Sequence, residues 1–233
     1  MIKKIIATSL TIGALASQAQ AMVEEIVVTG IRASLDYYET PAVTIKKTGD
    51  FLVQRVKIIN DSRDKDLREH EIRETLQSLS IAAARNGDIE LSYGEEFLRN
   101  LDPKDSNLIF SEERSRADTS YLYFSVKLKV NDKQLPEAQE ATLEKFIKSA
   151  KKTGRTELDM EDETGLSIVN PEKYRYEVIR EIAAENARLL DAMGQKCDIQ
   201  LQGLSNRIQW QRTGITELAI FIPYETQLFC QHK

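Results

Sequence analysis

The chain has 233 residues, of which 32 are Lys or Arg, 37 are Asp or Glu and 41% are apolar. This length allows one ordinary domain or two small ones with a substantial core. The net charge of −5, with basic and acidic residues interspersed, argues against a nucleic-acid-binding surface. Only two Cys and two His are present, so a His- or Cys-rich metal site or a Cys-His nucleophile is poorly supplied.

The first 21 residues have the pattern of a secretory signal peptide. Lys3 and Lys4 form a basic head, residues 5–16 form an apolar run, and residues 19–21 (Ala-Gln-Ala) have the small-x-small form that a signal peptidase accepts. The run is too short to span about 30 Å of hydrocarbon, so we expect cleavage after Ala21 rather than a membrane anchor or a buried N-terminal helix. No later stretch approaches the roughly 18 apolar residues of a transmembrane helix. We therefore expect a protein of the periplasm of a Gram-negative bacterium.

Residues 22–41 differ in pattern from the chain that follows. A β-prone run over residues 26–30 stands alone behind Glu24 and Glu25, and Pro41 separates it from the first regular strand pattern. We interpret residues 22–41 as a flexible arm outside the core of a domain that covers residues 42–233. The alternative is that residues 26–29 form the first strand of a sheet.

The first half of that domain alternates strand and helix patterns. Apolar residues at spacings of four, three and four predict a long helix over residues 64–86, with Gly87 at its end and a stripe of Ile72, Leu76, Leu79 and Ala83. Period-two alternation predicts strands around this helix: two in residues 42–60 on either side of Gly49-Asp50, and one each in residues 88–93, 108–111 and 120–131.

The second half contains two further helix patterns. Pro136 begins a helix that ends near Gly154, with a stripe of Leu143, Phe146, Ile147 and Ala150. Asn170 and Pro171 have the character of cap and first-turn residues for a third helix through Met193, whose buried side is predicted to hold Val178, Ile182, Leu189 and Met193. Strands are predicted in residues 155–169 (a strand, a turn and a short strand), 198–210 and 215–224. This order indicates an α+β fold, with a largely antiparallel sheet packed by three helices.

The two cysteines are expected to pair. In an oxidising compartment Cys197 and Cys230 form the only intramolecular pair that the sequence offers. The bridge would close a loop of about 33 residues, which the chain-entropy model values at roughly 3 to 4 kcal/mol. Two buried thiols and an intermolecular bridge through Cys230 are the alternatives, and a redox role is disfavoured because no Cys-x-x-Cys occurs.

The sequence offers few residues for catalysis. It contains no Gly-rich phosphate loop, His-Glu-x-x-His or Gly-x-Ser-x-Gly motif, and both His70 and His232 are predicted to be surface residues. The acidic cluster at residues 159–163 could offer carboxylates to Ca²⁺, although a solvated acidic loop is the favoured interpretation. Four aromatic residues either line a groove or belong to the core: Tyr121, Tyr123, Phe124 and Trp210. We assign no catalytic, cofactor-binding or metal-binding residue.

The order of elements over residues 42–225 resembles the SIMPL family of exported bacterial proteins. Four segments carry the resemblance: Val43-Thr44-Ile45, the strand ending Val126-Lys127-Leu128-Lys129-Val130, Gly165-Leu166-Ser167-Ile168, and the helix after Asn170-Pro171 with Arg180, Ala183, Ala184, Ala187 and Arg188. This helix departs from the family in having fewer Ala and more charge. The resemblance implies an envelope α+β protein, sometimes a ring-like oligomer, and brings no catalytic residues.

Residues 23–35, Val-Glu-Glu-Ile-Val-Val-Thr-Gly-Ile-Arg-Ala-Ser-Leu, are similar to the N-terminal TonB box region of TonB-dependent outer-membrane receptors. This resemblance implies contact with the periplasmic protein TonB through Glu24, Glu25, Ile26, Val27, Val28 and Thr29. An arm with a β-branched run can add a strand to an exposed sheet edge, which is one recurring mode of peptide recognition. The remaining chain is too short for a receptor barrel of about 22 strands, so the protein is not itself the transporter.

Three hypotheses of function result. The first is a non-enzymatic periplasmic SIMPL-like protein whose arm binds TonB by strand addition. The second is a structural envelope protein that self-assembles into a homo-oligomer and exchanges the arm between subunits. The third is a metal-dependent enzyme that uses residues 159–163. We expect no nucleic-acid partner and no cofactor.

Overall fold

The computed structural model describes residues 25–28, 41–94, 98–113, 116, 118–193 and 197–230. The predicted signal peptide and most of the segment 22–41 lie outside these ranges. The strands and helices follow in the order β1 (Glu25–Val28), β2 (Ile45–Thr48), β3 (Phe51–Asn60), α1 (Lys65–Asn86), β4 (Ile89–Tyr93), β5 (Arg99–Asn100), β6 (Ser111–Glu112), β7 (Ser120–Lys129), α2 (Pro136–Lys148), β8 (Thr156–Val169), α3 (Arg175–Met193), β9 (Cys197–Gln202), β10 (Gln209–Arg212), β11 (Glu217–Phe221) and β12 (Glu225–Cys230).

The described strands form three antiparallel sheets. The main sheet has the order β1-β8-β3-β7-β4-β5, and β6 also pairs with β7. A second sheet has the order β10-β11-β2, and β9 pairs with β12 in a third. The predicted α+β class, with largely antiparallel sheets and three helices, is confirmed.

The core lies between the main sheet and the helices. Alternate residues of the central strands are buried on one face: Leu52, Val56 and Ile58 of β3, and Leu122, Phe124 and Val126 of β7. The predicted stripe of α1 packs on this face with Leu143 and Ile147 of α2. Full burial of each such side chain contributes about 1.5–3 kcal/mol, so the apolar alternation fixes which face of β3 and β7 the helices cover. The opposite face is called the outer face below.

Helix α1 begins and ends where the sequence predicts. The Asp64 carboxylate accepts a hydrogen bond from the backbone N–H of Leu67 (2.9 Å) at its start. Gly87 follows its last residue in the left-handed conformation (φ 81°), and its N–H donates to the carbonyl of Ala83.

The Glu71 carboxylate of α1 ties the helix to the end of β3 and the start of β8. It accepts hydrogen bonds from Asn60 Nδ2 (2.6 Å), Ser62 Oγ (2.9 Å) and the backbone N–H of Arg155 (3.2 Å). These bonds stabilise the ionised carboxylate, the bond from Asn60 most of all, and hold the pKa of Glu71 below its ordinary value against the opposing effect of desolvation.

Gly49 and Asp50 form a corner at which the chain passes from the second sheet into the main sheet. The Gly49 N–H donates to the carbonyl of Thr216 (3.0 Å), and the Asp50 N–H donates to the carbonyl of Ser167 (2.8 Å). The Asp50 carboxylate accepts from the N–H of Val169 (2.7 Å). A Cβ on Gly49 would overlap the buried side chain of Leu166, so a larger residue at this position would force Leu166 to move. The two predicted strands around Gly49-Asp50 exist, but they belong to different sheets.

Several predictions for the second half of the domain are wrong. Helix α2 ends at Lys148 rather than near Gly154, because the chain beyond it packs against α1, where the Thr153 N–H donates to Thr75 Oγ1 (3.0 Å). Residues 155–169 hold one long strand, β8, rather than two. Residues 198–224 hold parts of three strands rather than two, because Gly203 (φ 86°) turns the chain after β9; β12 was not predicted.

Helix α3 also differs in detail from its prediction. A 3₁₀ turn, Pro171–Tyr174, precedes it, and Asn170 has a left-handed backbone (φ 51°) without a capping bond from its side chain. Val178 and Ile182 are buried as predicted, whereas Met193 is 42% exposed. The buried residue one turn beyond Ile182 is Asn186, whose amide donates to the carbonyl of Ile182 (2.7 Å).

Candidate functional site

Strand β1 is the outermost strand of the main sheet. It pairs with β8 in the register Glu25↔Val169, Ile26↔Ile168, Val27↔Ser167 and Val28↔Leu166. The carbonyl of Ser167 and the N–H of Val169 bond to Asp50, so they point away from β1. Because backbone groups alternate in direction along a strand, those of Leu166 and Ile168 point toward β1. Ile26 and Val28 therefore bond to β8, and the backbone N–H and C=O of Glu25 and Val27 point away from it. No described residue forms a strand along that outer edge.

This docked position differs from the expected arm outside the core. For residues 25–28 the alternative interpretation, the first strand of the sheet, is correct, because Ile26 and Val28 find bonding partners in β8. Glu24 and Thr29, the two other predicted contact residues, lie outside the described residues.

Five side chains anchor β1, and we call them the Glu25 cluster: Glu25, Phe51, Glu90, Lys127 and Ser167. The Glu25 carboxylate accepts hydrogen bonds from Lys127 Nζ (2.7 Å) and Ser167 Oγ (2.8 Å). Lys127 Nζ also lies 4.0 Å from the centroid of the Phe51 ring and 3.7 Å from the Glu90 carboxylate. The side chains of Glu25 and Lys127 are only 11% and 7% exposed. Removal of one partner of such a buried pair costs about 3–5 kcal/mol, so each charge depends on the other.

A cavity of about 720 Å³ lies on the outer face of the sheet, and Val27 of β1 is part of its wall. The wall also contains Arg55, Tyr121 and Tyr123. The Arg55 guanidinium lies 4.4 Å from the centroid of the Tyr123 ring, and the two tyrosine rings meet edge to face at 5.5 Å. Apolar and aromatic walls with a few charged groups are typical of surfaces that bind a ligand or a peptide.

The acidic cluster at residues 159–163 lies within β8 rather than in the expected loop. Asp159 is paired with Lys57 and Glu161 with Arg55 on β3, and cross-strand pairs of opposite charge stabilise a sheet. The pairing is interrupted beside Gln54 by a bulge, in which Asp162 has a left-handed backbone (φ 56°). Among the described residues, no group of three or more His, Cys, Asp or Glu side chains is placed to hold a metal ion.

Arg212 joins this bulge to the second sheet. Its side chain is 2% exposed, and its guanidinium donates to the carbonyls of Thr164, Gly214 (3.0 Å) and Ile215 (2.9 Å). Burial lowers the pKa of Arg212 below its ordinary value, since desolvation penalises the charged form. The arginine thus connects the main sheet to the second sheet beside the cavity.

The other residues singled out in the sequence lie at or away from this cavity as follows. Phe124 is a core residue (2% exposed) that also borders the cavity, whereas Trp210 is partly buried in β10 and is not among the residues of the cavity wall. The His70 side chain is 66% exposed, and His232 lies outside the described residues. Cys197 and Cys230 form the predicted disulfide bond, which links the ends of β9 and β12.

Sequence reasoning missed Lys127 and Ser167. Lys127 occupies a polar position in the alternating pattern of β7, and such a residue is ordinarily read as solvent-facing. Ser167 stands in the apolar run Leu166–Val169, and this single hydroxyl was the available signal that a polar partner lies opposite.

Comparison of the chain with models of protein families, with curated proteins and with solved structures found no match. Within the described ranges, no helix has both the length and the apolar character needed to cross a membrane.

Proposed function

We propose that this chain is a non-enzymatic protein of the bacterial periplasm with a SIMPL-like α+β domain, and that it binds TonB, or another protein with an exposed strand, by strand addition at β1. The observation that carries the proposal is the outer edge of β1, along which no described residue forms a strand, together with the bonds that hold β1 itself to the sheet. Residues 24–29 are the proposed contact, with the backbone groups of Glu25 and Val27 directed to the partner.

The Glu25 cluster supports this mode of binding. An added strand gains affinity from backbone hydrogen bonds, and a fixed template loses less conformational entropy on binding than a free segment does. The anchored Glu25 provides such a template. Val27, which is 38% exposed, lies between the open edge and the cavity, so the cavity offers a neighbouring surface for side chains of the partner.

The residues of types that often act in catalysis have structural or solvent-exposed positions here, and this favours binding over catalysis. Both cysteines form the disulfide bond, and Asp159 and Glu161 lie opposite Lys57 and Arg55 in the register of β8 and β3. The one described histidine, His70, is a solvent-exposed residue of α1.

The test is binding of the whole chain to the periplasmic domain of TonB, measured by calorimetry. Val27→Pro removes the N–H that points to the open edge, at a position where an edge strand tolerates proline, and should abolish binding. Val27→Ala shortens the side chain but keeps the N–H, and should retain binding. Deletion of residues 22–35 should also abolish it. Equal binding by the parent chain and Val27→Pro would overturn the proposal.

A further inference from the structure

A second open strand edge lies at the opposite end of the chain, on β12. This strand pairs with β9 on one side only, and no described residue pairs with its other side. Its first five residues are exposed, including two large apolar side chains, Leu228 (38%) and Phe229 (54%). A two-stranded sheet on its own is only marginally stable in water, so a further strand would stabilise the pair β9-β12.

The register shows which backbone groups β12 presents. Cys197 and Cys230 are opposite one another with Cα atoms 4.1 Å apart, the short separation of a pair that exchanges no backbone hydrogen bonds. Because bonded and non-bonded pairs alternate, Leu228↔Ile199 and Thr226↔Leu201 are non-bonded pairs as well. The N–H and C=O of Thr226, Leu228 and Cys230 therefore point to the open edge.

β12 lacks the sequence features that disfavour pairing of the edge strands β2 and β5 with another strand. Lysine on an edge strand is a common protection against edge-to-edge association, and β2, at the edge of the second sheet, carries Lys46 and Lys47. β5, at the edge of the main sheet, has only two residues, one of them Arg99. β12 has six residues with neither a basic residue nor proline, and its only charge is Glu225 at its first position.

We propose that β12 pairs in antiparallel fashion with β12 of a second copy of this chain, which joins the two small sheets into one sheet of four strands about a twofold axis. The register that pairs all three outward-pointing residues places Leu228 opposite Leu228 of the second copy and Thr226 opposite Cys230. Gln227 then lies opposite Phe229, and the two Phe229 rings are diagonal neighbours within reach of one another. Glu225 of one copy does not face Glu225 of the other, so no like charges oppose the pairing.

This edge is separate from the one proposed to bind TonB. β12 and β1 belong to different sheets, so a dimer through β12 leaves β1 open in both copies. The dimer would present two β1 edges, and two linked contacts bind a multivalent partner with higher avidity than one.

The experiment is sedimentation velocity of the full mature chain, with its disulfide intact, over a wide range of concentrations. The parent chain should shift from monomer to dimer as its concentration rises. Leu228→Lys and Leu228→Glu should each remain monomeric, because like charges then face each other at the twofold axis. A mixture of the two variants should dimerise again, since Lys then faces Glu. Leu135→Lys, which replaces a 73% exposed leucine before α2, is the matched control and should dimerise like the parent.

A parent chain that stays monomeric at every concentration overturns the proposal. Dimerisation of Leu228→Lys to the parental extent overturns it too, since association must then use another surface. Restoration in the mixture can arise only when both variants are folded and meet at position 228, so it also serves as the control for folding. None of these outcomes depends on TonB, which keeps this test distinct from that of the proposed function.

Discussion

The buried pair of Lys127 and Glu25 makes the docking of β1 sensitive to a residue on another strand. Lys127→Met removes the cation but keeps an unbranched side chain against the Phe51 ring. The Glu25 carboxylate then retains the hydrogen bond from Ser167 and loses its counter-charge in a site that is only 11% exposed. At the lower end of the range for breaking a buried pair, the loss is about 3 kcal/mol.

This loss should appear as local opening of β1. This strand of four residues pairs with β8 alone among the described strands, so it can undock and rehydrate Glu25 while the rest of the sheet stays folded. A change of about 3 kcal/mol corresponds to about a hundred-fold increase in the opening equilibrium. Native-state hydrogen exchange at the amides of Ile26 and Val28, which bond to β8, should therefore accelerate by up to this factor. The amide of Val27 points to the open edge and should exchange quickly in the parent chain as well.

Two further variants make the interpretation specific. Lys129→Met changes an exposed lysine on the same strand and face, and should leave the amides of Ile26 and Val28 protected. Addition of Glu25→Gln to Lys127→Met removes the buried unpaired charge and should restore much of the protection. Unchanged exchange of Ile26 and Val28 in Lys127→Met would refute the reasoning, as would equal acceleration of every core amide, because β1 would then not open as a separate unit.

Three other predictions concern stability. Arg212→Met leaves three carbonyls without their donor and should lower the free energy of unfolding by about 3–5 kcal/mol in urea titrations. The control Arg207→Met, at an exposed position, should change it by about 0.5 kcal/mol or less. An equally small change in Arg212→Met would contradict the role given to Arg212. The double variant Cys197→Ser/Cys230→Ser should lose about 3–4 kcal/mol for a loop of 33 residues, and reduction of the parent chain should reproduce this loss. The lowered pKa of Glu71 contributes stability that is fully present above about pH 4.5, its value in the unfolded chain, and is lost as pH falls through the folded pKa. Urea midpoints should therefore fall less steeply between pH 5 and about pH 3 in Glu71→Gln than in the parent, and parallel slopes would show that the carboxylate makes no such contribution.

Elements with a strong local signal could be predicted from the sequence. The stripe from Ile72 to Ala83 and the alternation of residues 120–131 each specify one structure, because helix and strand periods place apolar residues on one face only under the correct assignment. The disulfide bond followed from the cysteine count and the predicted compartment. These features depend on residues close together in the chain or on composition.

The features that the sequence did not predict depend on contacts between residues that are far apart in the chain. Acidic residues have low strand propensity, yet Asp159 and Glu161 lie in β8, opposite Lys57 and Arg55 of β3, which stand about a hundred positions earlier in the chain. Whether residues 25–28 dock was equally hidden, since the lysine that anchors Glu25 is 102 positions away. The candidate site is therefore the part of the molecule that local patterns predict least well.

The corner at Gly49 and Asp50 bears on how the domain unfolds. Its backbone and side chain hydrogen-bond to β8 and to the turn before β11, so the main sheet and the second sheet share one short stretch of chain. Neither sheet can separate without exposing these groups and the packed Leu166 beside Gly49. Melting of the two sheets should consequently be a single cooperative transition, in which the fluorescence of Trp210 in the second sheet and the circular dichroism of the whole domain report the same midpoint.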